Sequence, residues 1–290
     1  MAAYKSILVP VSDAKTGAGP LDAAFRMAGR FGSHVVALHV RTDPTAAVPL
    51  VGEGMSGAMV EEMMNIAEAQ AAKRAAAARV VFDEIVARHG VPVKDVPPAE
   101  GLSTEWLDVT GREEEVVARR GRLADLVVIG RPDAEDEIPS LMTLNAALME
   151  SGRPLLLIPP GEPVEGFGRR VVIAWNGSAE AGRAVAAAMP LLAAAETVAI
   201  LSVAENERTG AAPAAELATY LAWHGITATP RLIHAPGKHA GEELLREAAN
   251  AGADLLVMGA YTHSRLRQMI LGGVTRHVLH QAAIPCLMSH

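Results

Sequence analysis

The feature that most constrains the fold of this chain is that its sequence repeats itself. Four apolar segments of the first half recur in the second half, in the same order and with similar residues. As first-half and second-half pairs, they are residues 6–13 and 171–178, 34–40 and 197–203, 124–130 and 253–259, and 153–158 and 284–288. Because ordered matches of this kind seldom arise by chance, the sequence predicts an internal duplication of one structural unit.

In each repeat, short apolar runs rich in β-branched residues alternate with alanine-rich helical stretches. Such runs are typical of strands buried on both faces of a parallel sheet. Hydrophobic residues make up 50% of the chain but aromatic residues only 3%, which favours packed helices on a sheet over a β-sandwich. We therefore predict an α/β fold with two tandem five-stranded open sheets of parallel type, and helices on both faces. Their final strands, 155–158 and 285–288, would otherwise have unpaired edges, so we expect them to pair in an internal pseudo-dimer.

A stretch rich in proline, glycine and acidic residues separates the repeats. Adjacent prolines, Pro159 and Pro160, exclude a helix there and favour an extended spacer. We predict a first domain over residues 1–159, a linker over 160–169 and a second domain over 170–290.

The second repeat carries a regular alternation of strand and helix patterns. Strands are predicted near residues 170–176, 197–203, 230–235, 254–258 and 285–289. Helices are predicted near residues 178–194, 213–225, 239–251 and 273–282. We expect the hydroxyl of Ser178 to cap the first of these helices.

The first repeat is longer because it carries an insertion at about residues 42–90. Most of it is predicted to be a helix from Ala58 to His89. The methionines near its start lie at helical spacing, and core packing is the favoured interpretation, with an adaptable apolar contact surface as the alternative. They are Met55, Met59, Met63 and Met64. The preceding residues 43–57 form a glycine-rich segment that we expect to be mobile. They include a formal G-x-G-x-x-G at 52–57, interpreted as a hinge because no tight strand–turn–helix unit surrounds it.

The charge balance argues against a nucleic-acid partner. The formal net charge is −7 and the sequence pI is about 5.8, whereas nucleic-acid binders usually present a basic stripe. The cluster Arg119, Arg120 and Arg122 is offset by acidic residues 113–115, and we interpret this stretch as the solvated face of a helix. No apolar run approaches the roughly 18 residues of a membrane span, and no leader pattern opens the chain. We therefore expect a cytoplasmic protein with no membrane partner.

The sequence predicts neither a reactive cysteine nor a histidine metal site. The single cysteine, Cys286, lies in an apolar run and is expected to be buried and inert. His277 and His280 are three residues apart on a predicted helix, but no third ligand is identifiable, so no metal site is predicted.

A glycine-rich loop follows the fourth strand of the second repeat. It begins with Gly259-Ala260-Tyr261-Thr262 and, after nine residues, ends with Gly272-Gly273-Val274-Thr275 at the start of a helix. Ligands of open α/β sheets bind outside the carboxyl ends of the strands. Glycines let backbone N–H groups approach closely, and a helix N-terminus favours an anion, so the loop suits a phosphate. The alternative is that the loop only turns the chain into its last helix.

With this loop, the flanking 254–259 run and the closing 284–288 run, the chain resembles the universal stress protein family over both repeats. The resemblance implies an adenine-nucleotide alpha-hydrolase-like fold, a regulatory role in stress response, ATP or a related adenine nucleotide as ligand, and a further dimer of the whole chain. In ATP-binding members, an Asp after the first strand contacts the nucleoside; Asn176 stands there in the second repeat. The implied nucleotide-binding residues are Asn176, Gly259, Thr262, His263, Arg265, Gly272, Gly273 and Thr275.

The chain departs from the family pattern at several of these positions. Thr262 replaces the second glycine and Gly273 replaces a Ser or Thr, and the hydroxyl of Thr275, two positions after Gly273, is expected to compensate. The first repeat departs further: Ser12 stands at the Asp position, and four carboxylates within residues 131–137 would repel phosphates. We therefore predict at most one nucleotide site, in the second repeat.

No catalytic residues are predicted, because the chain lacks a nucleophile elbow, a Walker A loop and an evident acid–base pair. Three hypotheses follow. The chain is a nucleotide-responsive stress protein, a nucleotide-free structural or protein-interaction module of the same fold, or, as the least supported, a slow ATP hydrolase.

Overall fold

A computed structural model describes residues 4–43, 57–97, 101–132, 138–161, 166–204, 212–234, 240–261 and 273–290. The strands are β1 (Ser6–Pro10), β2 (His34–Arg41), β3 (Ser103–Thr110), β4 (Leu126–Gly130), β5 (Leu155–Ile158), β6 (Arg170–Ala174), β7 (Thr197–Ala204), β8 (Ala228–His234), β9 (Leu255–Gly259) and β10 (Cys286–Ser289). The helices are α1 (Ala14–Phe31), α2 (Gly57–His89), α3 (Glu113–Gly121), α4 (Ile138–Glu150), α5 (Ala179–Leu192), α6 (Ala212–Trp223), α7 (Ala240–Asn250) and α8 (Val274–Gln281).

The chain divides into two compact units that do not follow the repeats strictly. The N-terminal unit contains Lys5–Ile129 and Glu137–Ser151. The C-terminal unit contains Met1–Tyr4, Gly130–Asp136 and Gly152–His290. Strand β5, which ends the first repeat, therefore belongs to the C-terminal unit.

The N-terminal unit is built on parallel strands in the order β3-β2-β1-β4. The central strands are buried along nearly their whole length, as their continuous apolar sequences predict. Helix α1 begins after Asp13, whose carboxylate accepts a hydrogen bond from the backbone N–H of Thr16 at 2.8 Å. It ends at Gly32, which adopts the left-handed φ of 62° that closes a helix without a side-chain clash.

The C-terminal unit has the strand order β5-β10-β9-β6-β7-β8, and β10 through β8 are parallel. Strand β5 is antiparallel to β10, with Leu157 opposite Cys286 and Leu155 opposite Met288. The predicted pairing of the two final strands is therefore confirmed. Both strands are fully apolar at these positions and buried, so the pairing covers edges that would otherwise be exposed.

The elements predicted for the second repeat are all found, with ends that differ by a few residues. The predicted cap is also found, because the Oγ of Ser178 accepts a hydrogen bond from the backbone N–H of Ala181 at 3.1 Å. The α/β class with a mostly parallel sheet in each repeat is confirmed.

The insertion forms helix α2, one residue longer at its start than predicted. Its buried residues, Ala71, Ala75, Ala78, Phe82 and Ile85, alternate at spacings of three and four and form one stripe in the second part of the helix. Between Gly57 and Gln70 no side chain is buried. The interpretation of the methionines as core residues is therefore wrong for Met59 and Met63, which are 53% and 43% exposed. Met55 and most of the 43–57 segment expected to be mobile lie outside the described residues.

Candidate functional site

The C-terminal unit contains a point where the direction of the strand order reverses. Strands β6 and β9 are neighbours, with Ala174 opposite Met258. From β6 the chain continues outward to β7 and β8, whereas from β9 it continues in the opposite direction to β10. The crevice at the carboxyl ends of two such strands is where open α/β sheets bind ligands. Asn176 follows β6 and Gly259 ends β9, so two of the predicted site residues flank this crevice.

Asn176 forms the turn between β6 and α5. Its side-chain oxygen accepts a hydrogen bond from the backbone N–H of Ser178 at 3.1 Å, and Gly177 follows in the left-handed region at φ 73°. This Asx turn fixes the side chain at the start of α5. Because one lone pair of the oxygen is already used, the exposed amide group has its NH₂ and the second lone pair with which to bind a ligand.

Gly259 brings the end of β9 into contact with the first turn of α5. A Cβ at this position would lie 2.4 Å from the backbone N of Ala181 and 2.7 Å from the carbonyl carbon of Glu180. Since real Cβ atoms essentially never approach backbone atoms so closely, only glycine fits without a shift of the helix. The glycine therefore sets how near the loop can come to the N-terminus of α5.

The far end of the loop is tied back to its beginning by Thr275. This residue lies in the first turn of α8 and is buried, and its Oγ1 accepts a hydrogen bond from the backbone N–H of Tyr261 at 3.2 Å. Tyr261 has a positive φ of 55°, which is uncommon for a residue with a side chain and marks a sharp turn directly after β9. Gly273 is the N-cap of α8 and, having no side chain, makes no capping hydrogen bond to the first turn of this helix.

The eight predicted site residues thus fall into two groups. Asn176, Gly259, Gly273 and Thr275 lie at one edge of the C-terminal unit, connected through the first turn of α5 and through Tyr261. The others, Thr262, His263, Arg265 and Gly272, lie outside the described residues.

Sequence reasoning missed two charged residues at this edge. Glu180, in the first turn of α5, accepts a hydrogen bond from Arg183 at 2.9 Å. The pKa of Glu180 is held below its usual value mainly by a hydrogen bond from its own backbone N–H. Burial raises this pKa and the hydrogen bond from Arg183 lowers it further. Arg183 also donates to the backbone carbonyl of His290 at 2.9 Å. The i,i+3 spacing of Glu180 and Arg183 was the available signal for this pair.

Trp175, directly before Asn176, was also missed. Its indole Nε1 is buried and meets no hydrogen-bond acceptor among the described residues. A buried donor without an acceptor costs about 1–3 kcal/mol, so an acceptor that reached it would recover free energy.

The corresponding edge of the first repeat is occupied by the protein's own side chains. Ser12, at the position of Asn176, donates a hydrogen bond to Oε1 of Glu113 at the start of α3. Burial raises the pKa of Glu113, against the opposing effect of the Ser12 hydrogen bond. The interpretation of residues 113–122 as a solvated face is therefore wrong for Glu113, although Glu115 and Arg119 are exposed. Helix α3 packs against β1 and β2, which brings its first residue to Ser12. The acidic residues 133–137 lie outside the described residues.

The described part of the chain contains a buried thiol but no metal-binding cluster. No cluster of three His, Cys, Asp or Glu side chains there is arranged to hold a metal ion. Cys286 is buried as predicted, and burial raises the pKa of its thiol to about 12. None of the described helices is long and apolar enough to cross a membrane.

The chain matches the universal stress protein family over residues 3–100 and 168–290. The universal stress protein Slr1230 of Synechocystis sp. is 43% identical over 49 residues, which is 17% of this chain and 17% of that protein. A solved universal stress protein from Archaeoglobus fulgidus DSM 4304 shares the fold at a TM-score of 0.67 and 16% identity, covering 98% of this chain and 95% of that one. A solved putative universal stress protein from Pseudomonas aeruginosa UCBPP-PA14 shares the fold at a TM-score of 0.59 and 16% identity, covering 99% of this chain and 93% of that one. Because the family matches each repeat separately, the chain belongs to the universal stress protein family, with its domain present in tandem.

Proposed function

We propose that this chain is a nucleotide-responsive stress-response protein with a single adenine-nucleotide site in its C-terminal unit. The observation that carries the proposal is the point between β6 and β9 where the strand order reverses, which is flanked by Asn176 and Gly259, with Thr275 of α8 bonded to Tyr261 directly after β9. ATP or a related adenine nucleotide is the ligand class. The role belongs to a cytoplasmic protein with domains at 1–159 and 170–290, and the whole chain would form a homodimer.

The chemistry of the site suits the two ends of a nucleotide. The first turn of a helix has backbone N–H groups without intrahelical acceptors and a partial positive charge, so the N-terminus of α8 favours phosphate oxygens. Gly273 as N-cap has no side chain that could accept from these donors. Asn176 offers an amide to the nucleoside. By their positions in the sequence, Thr262, His263, Arg265 and Gly272 belong to the same proposed site.

The first repeat supports the assignment of the site to the second repeat by contrast. There, the hydroxyl of Ser12 is bonded to Glu113, and this half-buried acid lies at the edge where a nucleotide would need space. A carboxylate at that point repels phosphates when it is ionised. We therefore assign no nucleotide site to the first repeat.

One observation favours the second candidate, a nucleotide-free module for protein interaction. Glu180 keeps a carboxylate in the first turn of α5, at the same edge as the proposed site, and the lowered pKa keeps it ionised. Its hydrogen bond to Arg183 neutralises part of that charge. A slow ATP hydrolase has less support, since no described residue is placed as a general base.

Calorimetric titration with ATP tests the proposal. The Gly273→Glu variant places a side chain and a negative charge at the N-terminus of α8, and we expect it to weaken ATP binding by at least about tenfold. Gly29→Glu, on an exposed stretch of α1 where an added Cβ meets nothing, is the matched control and should bind like the wild type. Native mass spectrometry of the freshly purified protein would identify a copurified nucleotide. A wild-type protein without saturable ATP binding, or a Gly273→Glu variant that binds equally well, favours the nucleotide-free module.

A further inference from the structure

A groove of about 390 Å³ lies in the N-terminal unit, where the insertion helix α2 crosses the ends of β2 and β3. Its volume is within the range of small-molecule sites. Three small residues of α2 form one wall, an indole ring forms the floor, and charged side chains form the rim. In that order, the lining residues are Ala72, Ala75 and Ala76, then Trp106, then Arg41, Arg79 and Asp108.

The floor of the groove is held in place by contacts on both sides. The Trp106 ring stacks on the buried His39 ring, with centroids 5.8 Å apart and planes at 12°. Phe82 of α2 lies against the same indole at 5.2 Å. Because strand side chains alternate, Trp106 and Asp108 lie on the same face of β3, which is the face that α2 covers. The part of the indole that these rings and Arg79 leave uncovered lines the groove in a fixed position, so a ligand meets a preformed apolar surface.

The charges of the rim are paired with one another or with a neighbour. The guanidinium of Arg79 lies 5.7 Å from the Trp106 centroid and bonds through its Nε to Asp83 at 2.9 Å. Arg41 donates through its Nε to Asp108 at 2.9 Å, so this pair is close to neutral. Two guanidinium groups and one carboxylate line the groove, but Asp83 balances Arg79 from outside the lining, so the local charge is close to neutral. The N–H donors of Arg79 other than Nε still suit an anionic group beside an aromatic body.

The second repeat provides an internal comparison. The strand registers place Trp106 opposite Ala37 and Asp108 opposite His39 in the first repeat. The matching pairs in the second repeat are Pro230 opposite Ile200 and Leu232 opposite Ser202. Arg41 corresponds to Ala204, and the helix equivalent to α2 has 12 residues instead of 33. The indole ring of Trp106, the charged pair Arg41 and Asp108 and the long helix α2 are therefore found in the first repeat and not at the matching positions of the second.

We propose that this groove binds a small, flat aromatic carboxylate, independently of the adenine-nucleotide site. The aromatic body lies on Trp106 and against the alanines of α2, where stacking and apolar burial stabilise it. The carboxylate lies toward Arg79, whose planar guanidinium recognises such groups.

The experiment uses 2-naphthoate as the probe, with 2-naphthamide as its uncharged analogue. Calorimetric titration of the full chain should show saturable 2-naphthoate binding that excess ATP does not displace. Arg79→Gln should reduce the preference for 2-naphthoate over 2-naphthamide to about twofold or less, because only the charge-assisted contact is removed.

Adjacent alanines of α2 provide the matched variants. Ala76 lines the groove and Ala77 does not, and both are exposed on the same helix. We expect Ala76→Glu to weaken 2-naphthoate binding at least about tenfold and Ala77→Glu to change it by less than about twofold. Absence of saturable binding at millimolar probe, equal loss in both variants, equal affinity for the amide, or displacement by ATP would each overturn the proposal.

Discussion

The Nε2 atom of His89 lies 2.7 Å from Oδ1 of Asp22, so the last residue of the insertion helix is hydrogen-bonded to the middle of α1. Asp22 is only 1% exposed and also accepts a hydrogen bond from Nε of Arg26 at 2.6 Å. Burial raises the pKa of Asp22, but the hydrogen bonds from Arg26 and His89 outweigh it, so the pKa is lowered overall. The carboxylate thus anchors the insertion to the body of the unit.

Asp22→Asn should therefore lower the free energy of unfolding by about 2 kcal/mol, because it removes the charge that both partners face. Urea denaturation followed by circular dichroism measures this change. Asp83→Asn is the matched control, since Asp83 also pairs with an arginine four residues away, Arg79, but is largely exposed. It should cost less than about 0.5 kcal/mol, and equal losses in the two variants would contradict the anchoring role.

The same carboxylate predicts a loss of stability in acid. Because the folded pKa of Asp22 is depressed, its contribution is present above the pKa of the unfolded chain and disappears as the pH falls through the folded value. The difference in stability between the wild type and Asp22→Asn should therefore shrink as the pH is lowered through that window.

Glu113 should have the opposite pH dependence. Burial raises its folded pKa, so its contribution is present below the unfolded pKa and is lost as the pH rises through the folded value. Glu113→Gln cannot ionise, and we expect it to be more stable than the wild type at neutral and alkaline pH, with the gain vanishing in acid. Denaturation across a pH series measures it. Glu115→Gln, at an exposed position of the same turn, should show no such crossover.

Gly259→Ala should destabilise the protein by about 1–3 kcal/mol, because its Cβ would overlap the backbone of α5. Thermal unfolding with and without ATP measures both the loss and any change in binding. Gly182→Ala is the control on α5 itself, where an added Cβ meets nothing within 4 Å. It should stabilise the helix by about 0.5–1 kcal/mol. A Gly259→Ala variant as stable as the wild type would show that the loop can move away from α5.

Cys286 should not react with Ellman's reagent in the native protein at pH 8. Its thiol is buried, so the reagent cannot reach it. Burial also raises its pKa to about 12, so almost none of the reactive thiolate is present at pH 8. Addition of denaturant should release the full stoichiometry of one thiol per chain. Rapid modification of the native protein would indicate that β10 opens frequently.

The strands and most helix bounds follow from the sequence because a buried parallel strand has a nearly continuous apolar pattern. The internal repeat helps further, because an element predicted in one half can be compared with its counterpart in the other. The Ser178 cap was predictable from residue type and position. The exposure of Met59 and Met63 was not, because helical spacing shows which residues share a face but not whether another element covers it.

The candidate site was partly predictable for a related reason. Sequence places Asn176 and Gly259 after strands, and parallel topology then brings strand ends to one edge. It does not show that Gly259 is required by contact with Ala181, or that Glu113 turns inward to Ser12, since both depend on how a helix crosses a distant strand. The groove beside Trp106 depends likewise on small residues of α2 meeting a ring more than 25 positions further along the chain.

The antiparallel pairing of β5 with β10 determines what happens when the chain is divided between its two repeats. A strand encoded by the first repeat completes the unit that contains the second, so neither repeat is a self-sufficient piece. Proteolysis between β5 and β6 would leave β5 and its partner β10 on separate peptides, whose association would then depend on their concentration. A fragment that starts at residue 166 would present the bare edge of β10 and would tend to recruit the same edge of another copy. With both repeats in one chain, this strand pairing is intramolecular and does not depend on protein concentration.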